Sequence, residues 1–288
     1  MPDWFYRTVG QPALFALPDK AAPAVALGVM GALGSNRVGR AVIDFMGHMH
    51  ADARLAVRVG GTTLASPVGL GWRVDPECRA TRALARFGVG CIERREAGFR
   101  PVVRGAGRTL CDGPRVVGGA SAGVADGVVT LLRRETGEGS EVVVLPSGEV
   151  WPVAAWDDHT VSAERAVAAG GVVLQVGVRG AQGGWCVPAE MPGGLPERVR
   201  AWRERVGAQG GVIVAGGVAG PADAVALVEA GASLVLVDAG LVFSGPGLVK
   251  RCNAALLARK GAAPVADAEV SVMRRSWFWA GALGLALA

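Results

Sequence analysis

Apolar residues in this chain recur in two alternating rhythms, short unbroken runs and helical spacings. The clearest instance lies between residues 212 and 250. Residues 212–215 and 234–237 are wholly apolar and rich in β-branched side chains, and each runs into a turn that contains glycine. Between them, residues 221–230 carry small and apolar side chains at helical spacing, until Gly231 closes the segment. Strands apolar on both faces with a helix between them form a βαβ unit, which requires parallel neighbours covered by helices. Residues 67–71, a helix predicted over 76–87 from Pro76 onward, and a strand over 89–92 repeat the rhythm, as do 162–169, 172–176 and 197–206. Residues 57–60 and 62–64 flank Gly60 and Gly61, a hairpin suited to plugging a barrel floor.

The rhythm breaks in the middle. Residues 94–126 are rich in Gly and Arg and show no period. Residues 128–133, 141–145 and 149–155 read as three strands joined by connections too short for a parallel crossover, so they are expected to be antiparallel or displaced. With these the strands number about the eight of a TIM-like β/α barrel. The expected fold is therefore a barrel, shortened and irregular in the middle. It carries an N-terminal helical segment over residues 1–55, a body over 56–260 and an apolar tail over 261–288.

Both ends are amphiphilic. Trp4, Phe5 and Tyr6 open the chain, and residues 21–34 form an uncharged stretch suited to an interfacial helix or one packed on the barrel. Arg274 and Arg275 precede 13 uncharged residues, 276–288, that begin with Ser276 and Trp277. A helix of that length spans about 20 Å, short of the roughly 30 Å hydrocarbon core. Membrane contact through both termini is the expectation, with docking on the protein body or on partner helices as alternatives.

Composition trims the options. The chain has 288 residues, 51% hydrophobic, with net charge +5. No dense basic block with interleaved aromatics points to nucleic acid. The five cysteines, Cys78, Cys91, Cys111, Cys186 and Cys252, form no CxxC, which supports neither a zinc site nor a disulfide framework and suits a reducing compartment. His48 and His50 beside Asp52, and Asp157, Asp158 and His159, read first as loop and capping residues. No metal site is assigned.

At a barrel's C-terminal mouth, the turns after the last two strands can bind phosphate through backbone N–H groups. Gly216, Gly217, Ala239 and Gly240 occupy those turns here. Asp238 opposes that reading, since its carboxylate would repel phosphate unless it points away.

The GG hairpin VRVGGTTLASPVGLG, the run RFGVGCIE, the looser WPVAAWDDHTVSAERAVAAGGVVLQVG and the closing VIVAGGVAGPADAVALVEAGASLVLVDAGLVFSGPGLVK together resemble the membrane-associated, quinone-using class of dihydroorotate dehydrogenase. The resemblance implies an FMN-dependent barrel of pyrimidine biosynthesis at the cytoplasmic face of the cell membrane. It also implies flavin-holding lysines, substrate-binding asparagines and a serine base. Here Arg73 or Val74 stands where one lysine belongs and Trp156 where the second does. Only Asn36 and Asn253 are asparagines, and the segment that carries the base is missing. The expectation is a homologue that has lost the family reaction and acts as a ligand-binding or scaffolding module. The alternatives are an active FMN-dependent oxidoreductase with a site rebuilt around Trp72, Arg73, Trp156, Asp157 and His159, and an interaction subunit of a membrane complex.

Overall fold

The computed structural model describes residues 6–18, 21–47, 49, 52–95, 102–104, 108–112, 128–136, 140–157, 161–179 and 184–261. The described part of the N-terminal segment holds a π-helical turn over Tyr6–Gly10, the α-helices α1 (Gln11–Phe15), α2 (Ala21–Ser35) and α3 (Arg37–Gly47), and a 3-10 turn over Ala53–Leu55. Two glycines let α2 lie against the barrel. A Cβ at Gly31 would meet the Arg79 carbonyl oxygen at 2.6 Å, and one at Gly34 the Ala83 nitrogen at 3.0 Å. Arg86 grips Asp44 of α3 through two hydrogen bonds of 2.6 Å.

Strands β1 (Val57–Val59) and β2 (Thr62–Leu64) form the expected hairpin. Its buried Val59 and Leu64 join the apolar cluster inside the barrel, so the hairpin closes the floor. The barrel strands in chain order are β3 (Val68–Leu70), β4 (Cys91–Arg95), β7 (Val129–Glu135), β8 (Glu141–Val144), β9 (Val150–Ala155), β10 (Gly171–Gln175), β13 (Gly211–Ala215) and β14 (Leu234–Val237), with β14 closing on β3. Four intervening strands, β5 (Val102–Arg104), β6 (Thr109–Asp112), β11 (Val178–Arg179) and β12 (Trp185–Pro188), form a separate sheet in the order β11-β12-β6-β5.

Every barrel pairing is parallel except the two made by β8, which runs antiparallel to both β7 and β9. The short connections at 136–140 and 145–149 leave no room for a crossover helix, so the chain turns back twice. A meander thus fills an arc that β/α units would otherwise build. The helical layer comes from α4 (Thr81–Leu84), α5 (Ala163–Ala168), α6 (Leu195–Val206), α7 (Pro221–Glu229), α8 (Ala239–Ser244) and α9 (Leu248–Arg259).

Alternation splits the core into two layers. Val173, Ile213, Leu234 and Leu236 face the barrel axis, while Leu174, Val214, Val235 and Val237 face helices that contribute Leu195, Trp202, Leu227 and Leu256. Near the floor the indole of Trp151, 0% exposed, fills the interior. Gly171 and Gly211, paired in register, make way for it, because a Cβ at Gly211 would lie 2.1 Å from the ring.

The helix expected over residues 76–87 is corrected. Regular helix is confined to α4, followed by a 3-10 turn over Ala85–Phe87. The Asp75 carboxylate accepts from the amides of Arg79 and Ala80 and from the Thr81 hydroxyl, and Cys78 takes a positive φ of 56°. Residues 76–80 are therefore wound into a turn around one buried side chain, and the helix begins after it. His48, His50, Asp158, His159 and residues 262–288 lie outside the described residues.

Candidate functional site

The strand ends at the C-terminal mouth converge on charge. Strand β4 directs Cys91, Glu93 and Arg95 to the axis and Ile92 outward; β7 directs Leu131 and Arg133 inward. The antiparallel β8 starts at the mouth, which places Glu141 beside them. Arg133 hydrogen-bonds Glu93 at 2.6 Å and Glu141 at 3.0 Å, with all three side chains at most 1% exposed. Arg95 reaches the other Glu141 oxygen at 3.0 Å and also pairs with Glu135. From the β3 and β14 turns, Arg73 and Asp238 form a pair at 2.9 Å.

Three buried arginines (Arg73, Arg95, Arg133) thus face three buried carboxylates (Glu93, Glu141, Asp238). The guanidinium carbons of Arg73 and Arg95 lie over the Trp72 ring, 4.5 and 4.9 Å from its centroid. Burial pushes the Glu141 carboxyl up, but Arg133, Arg95, Arg73 and the Trp185 N–H outweigh it and lower its pKa to about 2. Trp72 Nε1, Arg133 Nη2 and Gln175 Oε1 are buried with no hydrogen-bond partner among the described residues.

The separate sheet roofs this layer. Trp185 of β12 donates its indole N–H to Glu141 at 3.0 Å, and Val187, two residues on, lies over the turn after β13. The predicted phosphate turns therefore sit under cover, and Gly216, Gly217, Ala239 and Gly240 are all buried. Gly216 and Gly217 have φ of 92° and 75°, and a Cβ on them would meet Val187 at 2.8 Å and Val176 at 3.1 Å. At Gly240 a Cβ would lie 1.6 Å from the Val218 carbonyl oxygen, so close packing alone demands glycine. The amides of Ala219 and Gly220 donate to the Asp223 carboxylate, each at 2.9 Å. Asp238 points away from these turns, toward Arg73.

The described residues suggested for a rebuilt site fall in two places. Trp72 and Arg73 belong to the buried layer. Trp156 faces the helical layer instead of the cofactor space, because it follows Ala155 in the in-out alternation of β9. With Asp157, Gly194, Glu197, Arg198 and Ala201 it lines an open depression of about 370 Å³ on the outer wall. His159 lies outside the described residues. The residues that dominate the mouth, Glu93, Arg133, Glu141 and Trp185, escaped sequence reasoning. For Glu93 and Arg133 the signal was the polar residues two apart in CIERR and LLRRE, each in a run that begins with apolar residues.

Two further outcomes concern metals and cysteines. No group of three or more potential metal ligands occurs among the described residues. The expected lack of disulfides is corrected, since Cys186 is disulfide-bonded.

No protein-family model matches the chain. It is 49% identical over 77 residues to a quinone dihydroorotate dehydrogenase of Cupriavidus taiwanensis, and 49% over 75 residues to that of Xanthobacter autotrophicus. These matches cover 24% and 25% of this chain and span only 22% and 21% of those relatives. A third, from Anaeromyxobacter, is 28% identical over 250 residues, 80% of this chain and 67% of that one. Among solved structures, dihydroorotate dehydrogenase of Eimeria tenella in complex with ferulenol superposes with a TM-score of 0.59 at 15% identity, covering 89% of this chain and 97% of that one. Its ligand-free form gives 0.53 at 15% identity, covering 79% and 95%. The structural likeness concerns the fold.

Proposed function

We propose that this chain, a divergent relative of the quinone-dependent dihydroorotate dehydrogenases, keeps their barrel without their redox reaction and serves as a membrane-associated scaffolding module. The observation that carries this reading is the ionic layer at the barrel mouth. Where a flavin would need an open mouth, Arg73, Arg95 and Arg133 are matched to Glu93, Glu141 and Asp238 under a roof that includes Trp185. The backbone donors of the turns fit a phosphate poorly. Val187 and Val176 crowd Gly216 and Gly217, and Asp223 supplies its own anion to Ala219 and Gly220. Arg73, at one of the positions where the resemblance expects a flavin-holding lysine, is committed to Asp238. The residues therefore do not fit FMN.

Membrane association rests on the N-terminal helices. Val25 and Val29 of α2, and Val38, Val42 and Phe45 of α3, are exposed, Phe45 by 79%. Arg37 and Arg40 sit at the start of α3, where anionic lipid would attract them. No described helix is long and apolar enough to cross a membrane; the binding proposed is in the interface plane at the cytoplasmic face.

One preparation tests both parts. The full chain, purified in mild detergent, is expected to be colourless and to leave the fluorescence of added FMN unchanged. It is also expected to float with vesicles containing anionic lipid, and Phe45→Glu is expected to weaken that flotation. A bound or titratable flavin would overturn the loss of redox chemistry. Equal flotation of wild type and variant would overturn the role of α3.

A further inference from the structure

The roof of the barrel is assembled from two distant parts of the chain. The β5–β6 hairpin lies between barrel strands β4 and β7, and the β11–β12 hairpin follows β10. The two meet where β12 pairs with β6, and in that ladder the residue opposite Cys186 is Cys111. Cys186 is disulfide-bonded, while Cys78, Cys91 and Cys252 are free, and the chain has five cysteines. Directly opposed residues of an antiparallel pair have Cα atoms about 4.5–5.5 Å apart. That lies inside the roughly 4.4–6.8 Å range a cystine bridges.

We infer that Cys111 and Cys186 form a cross-strand cystine that latches the two hairpins of the roof together, and that thiol–disulfide exchange opens and closes this latch. Cys186 is half-buried between the fully covered Trp185 and Val187, so its side chain leaves the roof on the outer face, within reach of a small thiol. Closure needs an oxidant, and a low-molecular-weight disulfide such as oxidised glutathione supplies it. One protein thiolate attacks that disulfide, forms a mixed disulfide and releases one glutathione thiolate. The second protein thiolate attacks the protein sulfur, closes the cystine and releases the other. Two protein thiols are oxidised, one small disulfide is reduced to two thiols, and the two protons pass to solvent or to the released thiolates. A reducing compartment keeps the latch open and an oxidising one shuts it. The inference does not depend on whether the barrel takes a flavin.

The other cysteines leave the readout clean. Cys91 and Cys252 are buried and Cys78 is half-buried, and burial raises all three thiols, that of Cys252 to about 12. The test treats the full chain with oxidised glutathione, removes the excess and titrates thiols in denaturant. Three thiols are expected, rising to five after reduction, and a non-reduced digest should link the peptides holding Cys111 and Cys186. Limited proteolysis of oxidised and reduced wild type then reads the roof, with cleavage within residues 96–128 expected to accelerate on the order of tenfold on reduction. Cys186→Ser should show the fast pattern in both conditions. Five thiols after oxidation, a cystine mapped to another pair, or cleavage indifferent to redox state would each overturn the inference.

Discussion

Replacing Arg133 with methionine is expected to cost about 3–5 kcal/mol of folding stability, read from urea unfolding at neutral pH. Arg133 is 0% exposed and is bonded to both Glu93 and Glu141. Methionine preserves most of the volume, so the loss is electrostatic: two carboxylates remain in a desolvated layer with one cation fewer. Arg133→Lys keeps the charge but cannot fork between two acceptors, and a smaller loss is expected.

The pH dependence separates this cause from poor packing. The Glu141 pKa is lowered in the folded protein to about 2, against about 4.3 for a free glutamate. Its contribution to stability is therefore complete above the unfolded value and disappears as pH falls toward the folded one. Without Arg133 the depression shrinks, so the gap between wild type and Arg133→Met should be widest at neutral pH and narrow steadily below about pH 4. A gap independent of pH would mean that the methionine packs badly and that the ion pairs contribute little.

The second large effect lies at the floor. Trp151→Ala should cost about 3–5 kcal/mol, because the indole fills the space among Val59, Leu145, Val173 and Ile213. Gly211→Ala should cost about 1–3 kcal/mol, since the new methyl would lie 2.1 Å from a ring that is hemmed in on all sides. In the Trp151→Ala background the same substitution should turn neutral or favourable, because the clash has gone and alanine suits a strand better than glycine by about 0.5–1 kcal/mol. A double-mutant cycle on the four proteins measures this coupling, and additive losses would mean that Gly211 is there for another reason.

Much of the architecture was legible. Strands β13 and β14 and helix α7 could be placed to within a residue or so, because buried parallel strands read as continuous apolar runs cut off by glycine. The meander followed from connections too short for a crossover. Two features were hidden because polar side-chain bonds decide them, which the hydrophobic period does not record. Asp75 converts the expected helical start at Pro76 into a turn through three bonds that no periodicity announces. The ionic layer likewise needs the register that sets Glu93 beside Leu131 and Arg133 beside Val143 before charges in separate strands become neighbours. Gly216, Gly217 and Gly240 were read as phosphate turns from their place after the last two strands; in the fold, neighbouring protein atoms crowd all three.

The meander also bears on the order in which the molecule assembles. Strands β7 to β9 pair through two tight turns, so their contacts are local in sequence and their loop-closure cost is low, whereas joining β14 to β3 brings together residues such as Val68 and Val235. Hairpins form in about 1–10 μs, far ahead of long-range parallel pairing. The arc that departs furthest from a regular β/α barrel is thus the part suited to fold first, a nucleus against which the better-preserved remainder closes.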